Sequence, residues 1–251
     1  MKNTEFLKTC LITNKGVYDN KLVYENTLES FKTAIMYNCG VYINVRMTKD
    51  NVLVVYHDDS LTRLMNLKDK ISSITYEELN YFSSYHVPTL EEVLLLINGQ
   101  VPVIISPQTW DSKYYLEKEL VKILDTYKGE FAILSNHAVI IKWFNKNRPD
   151  YIVGEILTRS RKINNLVFAN MVANYSIVTD FKSVNIEYFD ILKLKKIKEN
   201  SLVIGYLIDD QEKYSTFKDS CHNLIIDKVL ELEIKKGSLW YNMKKGDING
   251  N

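Results

Sequence analysis

A histidine next to an aspartate, His57 and Asp58 in the stretch VLVVYHDDSLTR, is the first pair in this sequence able to do chemistry. An imidazole moves protons or binds anions near neutral pH. The same pair also suits a quiet role, with the ring hydrogen-bonded into Asp58 or the backbone. Glu25 and Asn26 open ENTLESF, where an acid near a helix N-terminus complements the dipole and Asn26 or Thr27 offers a cap. His137 in SNHAVII follows a predicted strand, as a solvated first-turn residue or as part of a site. Asp180, Asp209 and Asp210 fall near predicted strand ends, and three such carboxylates leave room for a relocated metal site.

The elements that must position these residues are legible as an alternation of short β-branched runs with longer helical patterns. FLKTCLIT precedes a helix from about Thr27 to Asn38. VYINVRM and the associated VLVVYH precede TLEEVLLLI, and VPVIIS precedes SKYYLEKELVKIL. Then come FAILS with AVIIKWFNK, YIVGEIL with INNLVFANM, SIVTD with IEYFDILKLKKI, LVIGYLID with QEKYSTFK, and NLIID with VLELEIKK. Eight such units in 251 residues predict an α/β fold, a (β/α)8 TIM barrel forming a single domain over residues 1–251. Pro88 and Thr89 read as the punctuation that starts the helix LEEVLLLI. Reactive groups in a barrel come from the C-terminal strand ends. Here these are Thr13 to Gly16, Tyr42 to Arg46, His57 and Asp58, Ser106 to Gln108, Ser135 to His137, Glu155, Asp180, and Tyr206 to Asp210.

Composition narrows the function classes. Apolar residues make up 46% and charged ones 25%, with 32 basic against 31 acidic side chains, so no global field draws in nucleic acid or a membrane surface. No run approaches the roughly 20 apolar residues of a membrane span, and MKNTEFLKTCLITNKG is broken by Lys8 without a cleavage-like site. A cytoplasmic protein is expected. Cys10, Cys39 and Cys221 lack metal-type spacing and read as reduced, buried thiols. The 17 tyrosines follow no common spacing and read as packing residues. The lysines of LKLKKIK read as the solvated face of an outer helix.

The segments KG, ENTLESFKTAIMYNCG, VRMTKDNVLVVYHDDSLTR, VPTLEEVL and NLIIDK, in that order, resemble the glycerophosphodiester phosphodiesterase family. The resemblance implies a TIM barrel whose divalent metal is held by carboxylates, with two histidines as general acid and base on a phosphodiester. A metal neutralises phosphate charge and activates the nucleophile, and imidazoles relay protons. His57 matches the family's second histidine. NKG stands where the family has His-Arg-Gly, so Asn14 replaces the first histidine and Lys15 an arginine, losing the guanidinium fork. YINV puts Tyr42 and Asn44 where two metal-binding carboxylates belong. Ser106 takes the place of a glutamate and Gln108 that of a phosphate-binding lysine.

The expected protein is therefore a degenerate family member without metal-dependent hydrolysis. It would bind a small phosphate-containing ligand through Lys15, Glu25 and Gln108, with no cofactor. The alternative is an active phosphoric diester hydrolase of lipid metabolism working through His57, with Mg or Ca held by ligands not yet located. A third reading is a non-catalytic scaffold barrel for a protein partner.

Overall fold

The computed structural model describes residues 2–108, 113–157 and 177–227. Eight parallel strands close into a barrel: β1 (Ile12–Asn14), β2 (Gly40–Met47), β4 (Val103–Pro107), β5 (Phe131–Ser135), β6 (Val153–Leu157), β7 (Phe181–Asn185), β8 (Leu202–Ile208) and β9 (Asn223–Ile226). Closure comes from β1, which pairs in parallel with both β2 and β9. A ninth strand, β3 (Leu53–Val55), lies antiparallel along the outer half of β2. The described helices are α1 (Leu28–Met36), α2 (Thr62–Met65), α3 (Tyr76–Phe82), α4 (Leu90–Ile97), α5 (Tyr115–Leu124), α6 (Ala138–Asn147), α7 (Ile191–Lys198) and α8 (Gln211–Phe217).

The period-2 alternation of each strand divides the core in two. Val41, Ile43 and Val45 of β2, with Val103 and Ile105 of β4, pack outward against Phe31, Leu90, Val93 and Leu120 of the helices. Inside the barrel, Ile12, Ile104, Leu134, Phe181, Ile204 and Ile225 form a second cluster. Tyr42, Asn44 and Arg46 alternate with the outward residues of β2 and so share the lumen face. The alternation thus puts the chemistry-bearing residues of β2 and β4 on the side where a barrel opens.

FLKTCLIT is a strand only in its last residues. Glu5–Lys8 instead forms a 3-10 turn whose Phe6 and Leu7 enter the lumen cluster and plug the bottom of the barrel. The turn is tied down by Asn223, whose Nδ2 donates to the carbonyls of Leu7 and Cys10, both at 2.7 Å. The seventh strand also departs from expectation. It is Phe181–Asn185 and not SIVTD, because Phe181 carries the apolar side chain that fills the lumen. Asp180 therefore lies at the N-terminal end of β7, where it accepts from Val153 N–H (2.9 Å) and pairs with Lys2 (2.8 Å). It cannot join a site at the other end. The helical patterns INNLVFANM and VLELEIKK lie outside the described residues.

The capping expectation at Thr89 holds: its hydroxyl accepts from Glu92 N–H, and Glu92 reaches back to Thr89 N–H. Thr27, rather than Asn26, caps α1 in the same reciprocal way with Ser30. In α7 the apolar positions Leu194 and Ile197 face the core while lysines occupy the outside. Cys39 and Cys221 are buried free thiols and Cys10 is half-buried; burial pushes the Cys39 thiol up to about 12. Residues 52–87 form a third cluster around Val54, Tyr56, Leu61, Ile71, Leu79 and Val87. This small annex is the platform that carries His57, Asp58 and Arg63.

Candidate functional site

At the mouth, the turn after β1 is built from two successive left-handed residues, Lys15 (φ 64°) and Gly16 (φ 84°). Lys15 N–H donates to the Tyr42 carbonyl (2.8 Å), and its own carbonyl accepts from Asn26 N–H (2.9 Å) and the Ser30 hydroxyl (3.2 Å). A Cβ on Gly16 would lie 2.4 Å from Ser30 Oγ. Glycine is therefore required twice over, by φ and by space. Gly16→Ala is expected to lower unfolding stability by at least about 2 kcal/mol in urea titration, since Ser30 is also the partner in the α1 cap.

Behind this turn runs a chain of charge. Glu25, only 3% exposed, receives both ends of the Arg63 guanidinium, Nη1 at 2.9 Å and Nη2 at 2.6 Å. Arg63 Nε donates to Asp58 Oδ2 (2.6 Å), and Asp58 Oδ1 lies 2.6 Å from His57 Nδ1. Lys15 Nζ sits 3.3 Å from Glu25, and Asn20 Nδ2 donates to it at 3.0 Å. Burial alone would raise the Glu25 carboxyl, but the Arg63 hydrogen bonds, then Lys15 and Asn20, more than offset it and hold it low. Asp58 is lowered likewise: burial opposes, and Arg63 and His57 prevail. His57 is lowered by burial and by Lys15, against the pull of Asp58. A neutral ring beside an ionised Asp58 must carry its proton on Nδ1, which leaves Nε2 as an acceptor.

The opposite wall is neutral. Asn44 and Ser106 are direct neighbours across β2 and β4, and Gln108 Nε2 donates to Ser106 Oγ (2.8 Å). Asn44 Nδ2 reaches the Tyr42 hydroxyl at 3.4 Å, and burial raises the Tyr42 phenol. Asn14 Nδ2 donates to Asp227 at the end of β9; burial raises the Asp227 carboxyl, with Asn14 and Lys15 working against the rise. Of these residues Asn14, Tyr42 and His57 line a cavity of about 250 Å³, together with Ser183, Tyr206 and Leu207 among others.

Asn14, Lys15, Tyr42, Asn44, His57, Ser106 and Gln108 are thus brought together at one mouth, with Glu25 behind them. His137 is exposed at the start of α6 and its neighbour Asn136 lines the cavity instead. Asp210 caps α8 through Lys213 N–H and Asp209 pairs with Lys213 Nζ, both at 2.7 Å. Two participants escaped the sequence reading, Arg63 and Asp227, while Tyr206 and Leu207 belong to the expected strand end Tyr206 to Asp210. Asp227 ends the strand run NLIID, a position the strand-end rule covers. Leu207 has φ 71° within an irregular stretch of β8, a strained conformation that no local sequence signal announced.

The described barrel agrees with the comparisons to known proteins. Residues 15–229 match the model of the glycerophosphoryl diester phosphodiesterase family. The chain belongs to this family. It is 31% identical over 152 residues to a glycerophosphodiester phosphodiesterase of Caldanaerobacter subterraneus subsp. tengcongensis, covering 55% of this chain and 59% of that protein. It is 30% identical over 141 residues to one of Bacillus altitudinis, covering 50% and 58% respectively. These matches span just under three fifths of both relatives' length. The fold is similar to the crystal structure of the glycerophosphodiester phosphodiesterase of Thermotoga maritima (TM-score 0.71, 22% identity, 88% of this chain and 95% of that one). It is also similar to an Oleispira antarctica phosphodiesterase in complex with the product sn-glycerol-3-phosphate (TM-score 0.73, 16% identity, 88% and 93%). None of the described helices is long and apolar enough to cross a membrane.

The divalent metal that the family resemblance implies does not fit this donor set. A hard cation needs several anionic oxygens converging on one point. Among the described residues no group of three or more histidines, cysteines, aspartates or glutamates is placed to hold one. The implied ligand positions are a phenol, an amide and a hydroxyl already joined to one another or to Gln108. Glu25 and Asp58 are occupied by Arg63.

Proposed function

We propose that this family member does not carry out metal-dependent hydrolysis and keeps the barrel mouth as a binding site for a small phosphate-containing ligand. The observation that carries the reading is the state of the wall formed by Tyr42, Asn44, Ser106 and Gln108. It is a neutral hydrogen-bonded patch at the positions where the family resemblance implies three carboxylates and a lysine. The cavity beside it, with His57, Asn14 and Asn136 on its lining, supports retention of binding. Calorimetry with magnesium, calcium and manganese is expected to detect no site tighter than about millimolar. A micromolar site at the mouth would sink the reading.

One observation favours the second reading, a hydrolase with an altered site. The His57–Asp58 pair has the geometry of a base held by an orienting carboxylate. Glycerophosphocholine hydrolysis by the parent chain that is lost in His57→Ala would establish it.

A further inference from the structure

Large apolar side chains left exposed fall mainly at one end of the barrel. Of eleven among the described residues, eight lie beyond the C-terminal strand ends or in the annex, and three, Met36, Leu95 and Val178, lie toward the other end. Single exposed apolar residues are ordinary, but their concentration at one end marks a surface. Leu22, 89% exposed, stands in the loop after β1. That loop is cross-braced: Asp19 Oδ1 accepts from the N–H groups of Lys21, Leu22 and Val23 at 2.9, 2.9 and 3.0 Å. Asn20 ties it to Glu25 through the backbone N–H (2.9 Å) and the carboxylate (3.0 Å). These bonds fix the backbone that presents Leu22. Tyr24 in the same loop stacks on Tyr85 of the annex, with centroids 4.3 Å apart and planes at 11°. The stack joins the loop to a surface that displays Tyr81, 83% exposed, edge-on to Phe82 at 5.3 Å.

Three more units contribute at the same end. Tyr115 is the first residue of α5, Val139 the second of α6, and Ile191 and Leu192 open α7 just after Tyr188. The outer helices start at the mouth, and a helical Cα–Cβ bond tilts toward the helix N-terminus, so these side chains lean toward the mouth. Leu192, 79% exposed, lies two positions from the buried Leu194 and one turn from the exposed Lys195 and Lys196, on the outward side of the helix. Lysines accompany the apolar residues elsewhere too. Lys21 adjoins Leu22, and the ammonium groups of Lys113 and Lys118 lie 5.6 and 5.9 Å from the centre of the Tyr115 ring. The acids in the turns of Leu22 and Leu192 are occupied locally, Asp19 by its own loop and Asp190 by the Lys193 N–H and ammonium.

We propose that the mouth end of the barrel docks on the surface of an anionic lipid bilayer. Leu22 and Leu192 enter the boundary between headgroups and acyl chains, and the lysines beside them meet anionic headgroups. The arrangement selects the occupant. A protein partner buries a compact patch around a central anchor. Here the exposed groups come from the units of β1, β2, β4, β5 and β7, set around one opening, and only a surface extending across the whole end buries them together. A bilayer interface is such a surface, and apolar or aromatic tips accompanied by lysine match its acyl boundary and its anionic headgroups. Docking does not depend on the cavity taking a phosphate-containing ligand.

The test is flotation of the full chain with vesicles of phosphatidylcholine alone and of phosphatidylcholine with phosphatidylglycerol in a roughly 2:1 ratio, at low and high salt. The chain is expected to float with the mixed vesicles, to bind phosphatidylcholine alone about tenfold more weakly, and to be released from the mixed vesicles by salt. Leu22→Ser with Leu192→Ser should weaken partitioning by about tenfold or more. Met36→Ser with Leu95→Ser, toward the other end, should leave it unchanged, with folding of each variant checked by circular dichroism. The tryptophan of Leu22→Trp should be quenched by lipids brominated in the acyl chains, beyond any quenching of the parent, and that of Leu95→Trp should not. If the folded parent does not bind the mixed vesicles, or if the Leu22 and Leu192 changes leave binding intact, the proposal falls. Self-association of the lipid-free parent that those two changes abolish, without vesicle binding, would assign the rim to a second copy of the chain instead.

Discussion

Replacing Arg63 by methionine is expected to lower unfolding stability by about 3 kcal/mol at neutral pH, well beyond the effect of an ordinary surface substitution. The reason is Glu25. Its side chain is 3% exposed, and Arg63 supplies two of its closest charge-assisted hydrogen bonds. Methionine keeps much of the length and apolar stem but leaves a buried carboxylate facing Lys15 alone among charged partners. Because Arg63 is itself 44% exposed, solvent screens part of the pair and the figure sits at the low end for breaking a buried ion pair. Arg63→Lys keeps the charge but not the fork and should fall between parent and methionine.

The pH dependence gives the same prediction a sign. In the parent, the Glu25 carboxyl is held below its ordinary value of 4.5, so it contributes stability above that pH and loses it as pH falls through the folded value. Without Arg63, burial raises the carboxyl, opposed by Lys15 and Asn20. The surrounding Tyr18, Tyr56 and Tyr85 remain neutral in this range because burial pushes their phenols up. The deficit of Arg63→Met should then be greatest near pH 7, begin to shrink where the raised carboxyl of the variant protonates, and vanish only below the lowered value of the parent. Adding Glu25→Gln should recover most of the loss, as a double-mutant cycle would show. A deficit independent of pH and untouched by Glu25→Gln would mean that Arg63 acts through packing.

The network behind this prediction marks where sequence reading stops. Strands were legible because β-branched runs such as VIIS and FAILS face packing on both sides, which leaves little else for them to be. The Thr89 cap was legible because its signal is local. Arg63 was not, because its partners Glu25 and Asp58 meet it only once the annex between β2 and α4 folds back over the mouth. Likewise Asp180 had the right residue type near a strand, but it precedes the strand of the sixth unit and so lies at the bottom, and only Phe181 filling the lumen reveals that. Asp227 needed no structure, only the strand-end rule applied to the last strand as strictly as to the first. The conformation of Leu207 needed one, since a left-handed leucine has no sequence signature.

The second large effect is gain of metal binding. Asn14→His, Lys15→Arg, Tyr42→Glu, Asn44→Asp, Ser106→Glu and Gln108→Lys together are expected to create a divalent site and slow hydrolysis of glycerophosphodiesters. Position 44 sits directly across from position 106, and position 42 lies on the same lumen face one alternation earlier. Three carboxylates placed there would share one face of the lumen within two residues of one another. In the absence of metal they repel one another in a partly buried wall, so the variant should melt below the parent and be rescued by magnesium or calcium. At a hundredfold excess over Kd the rescue amounts to roughly 5–10 °C for a chain of this size, while the parent should show no shift. The carboxylates without the Asn14→His change should bind metal yet not turn over. The histidine without the carboxylates should do neither, because groups that act as one unit are strongly non-additive. The new histidine would also stand beside Asp227, the carboxylate that now accepts from Asn14 and would then orient an imidazole. A complete variant that folds but shows no metal-dependent melting shift would mean that the named replacements are not what separates this mouth from a metal site. Metal-dependent cleavage by the unmodified chain, abolished by His57→Ala, would overturn the non-hydrolytic reading itself.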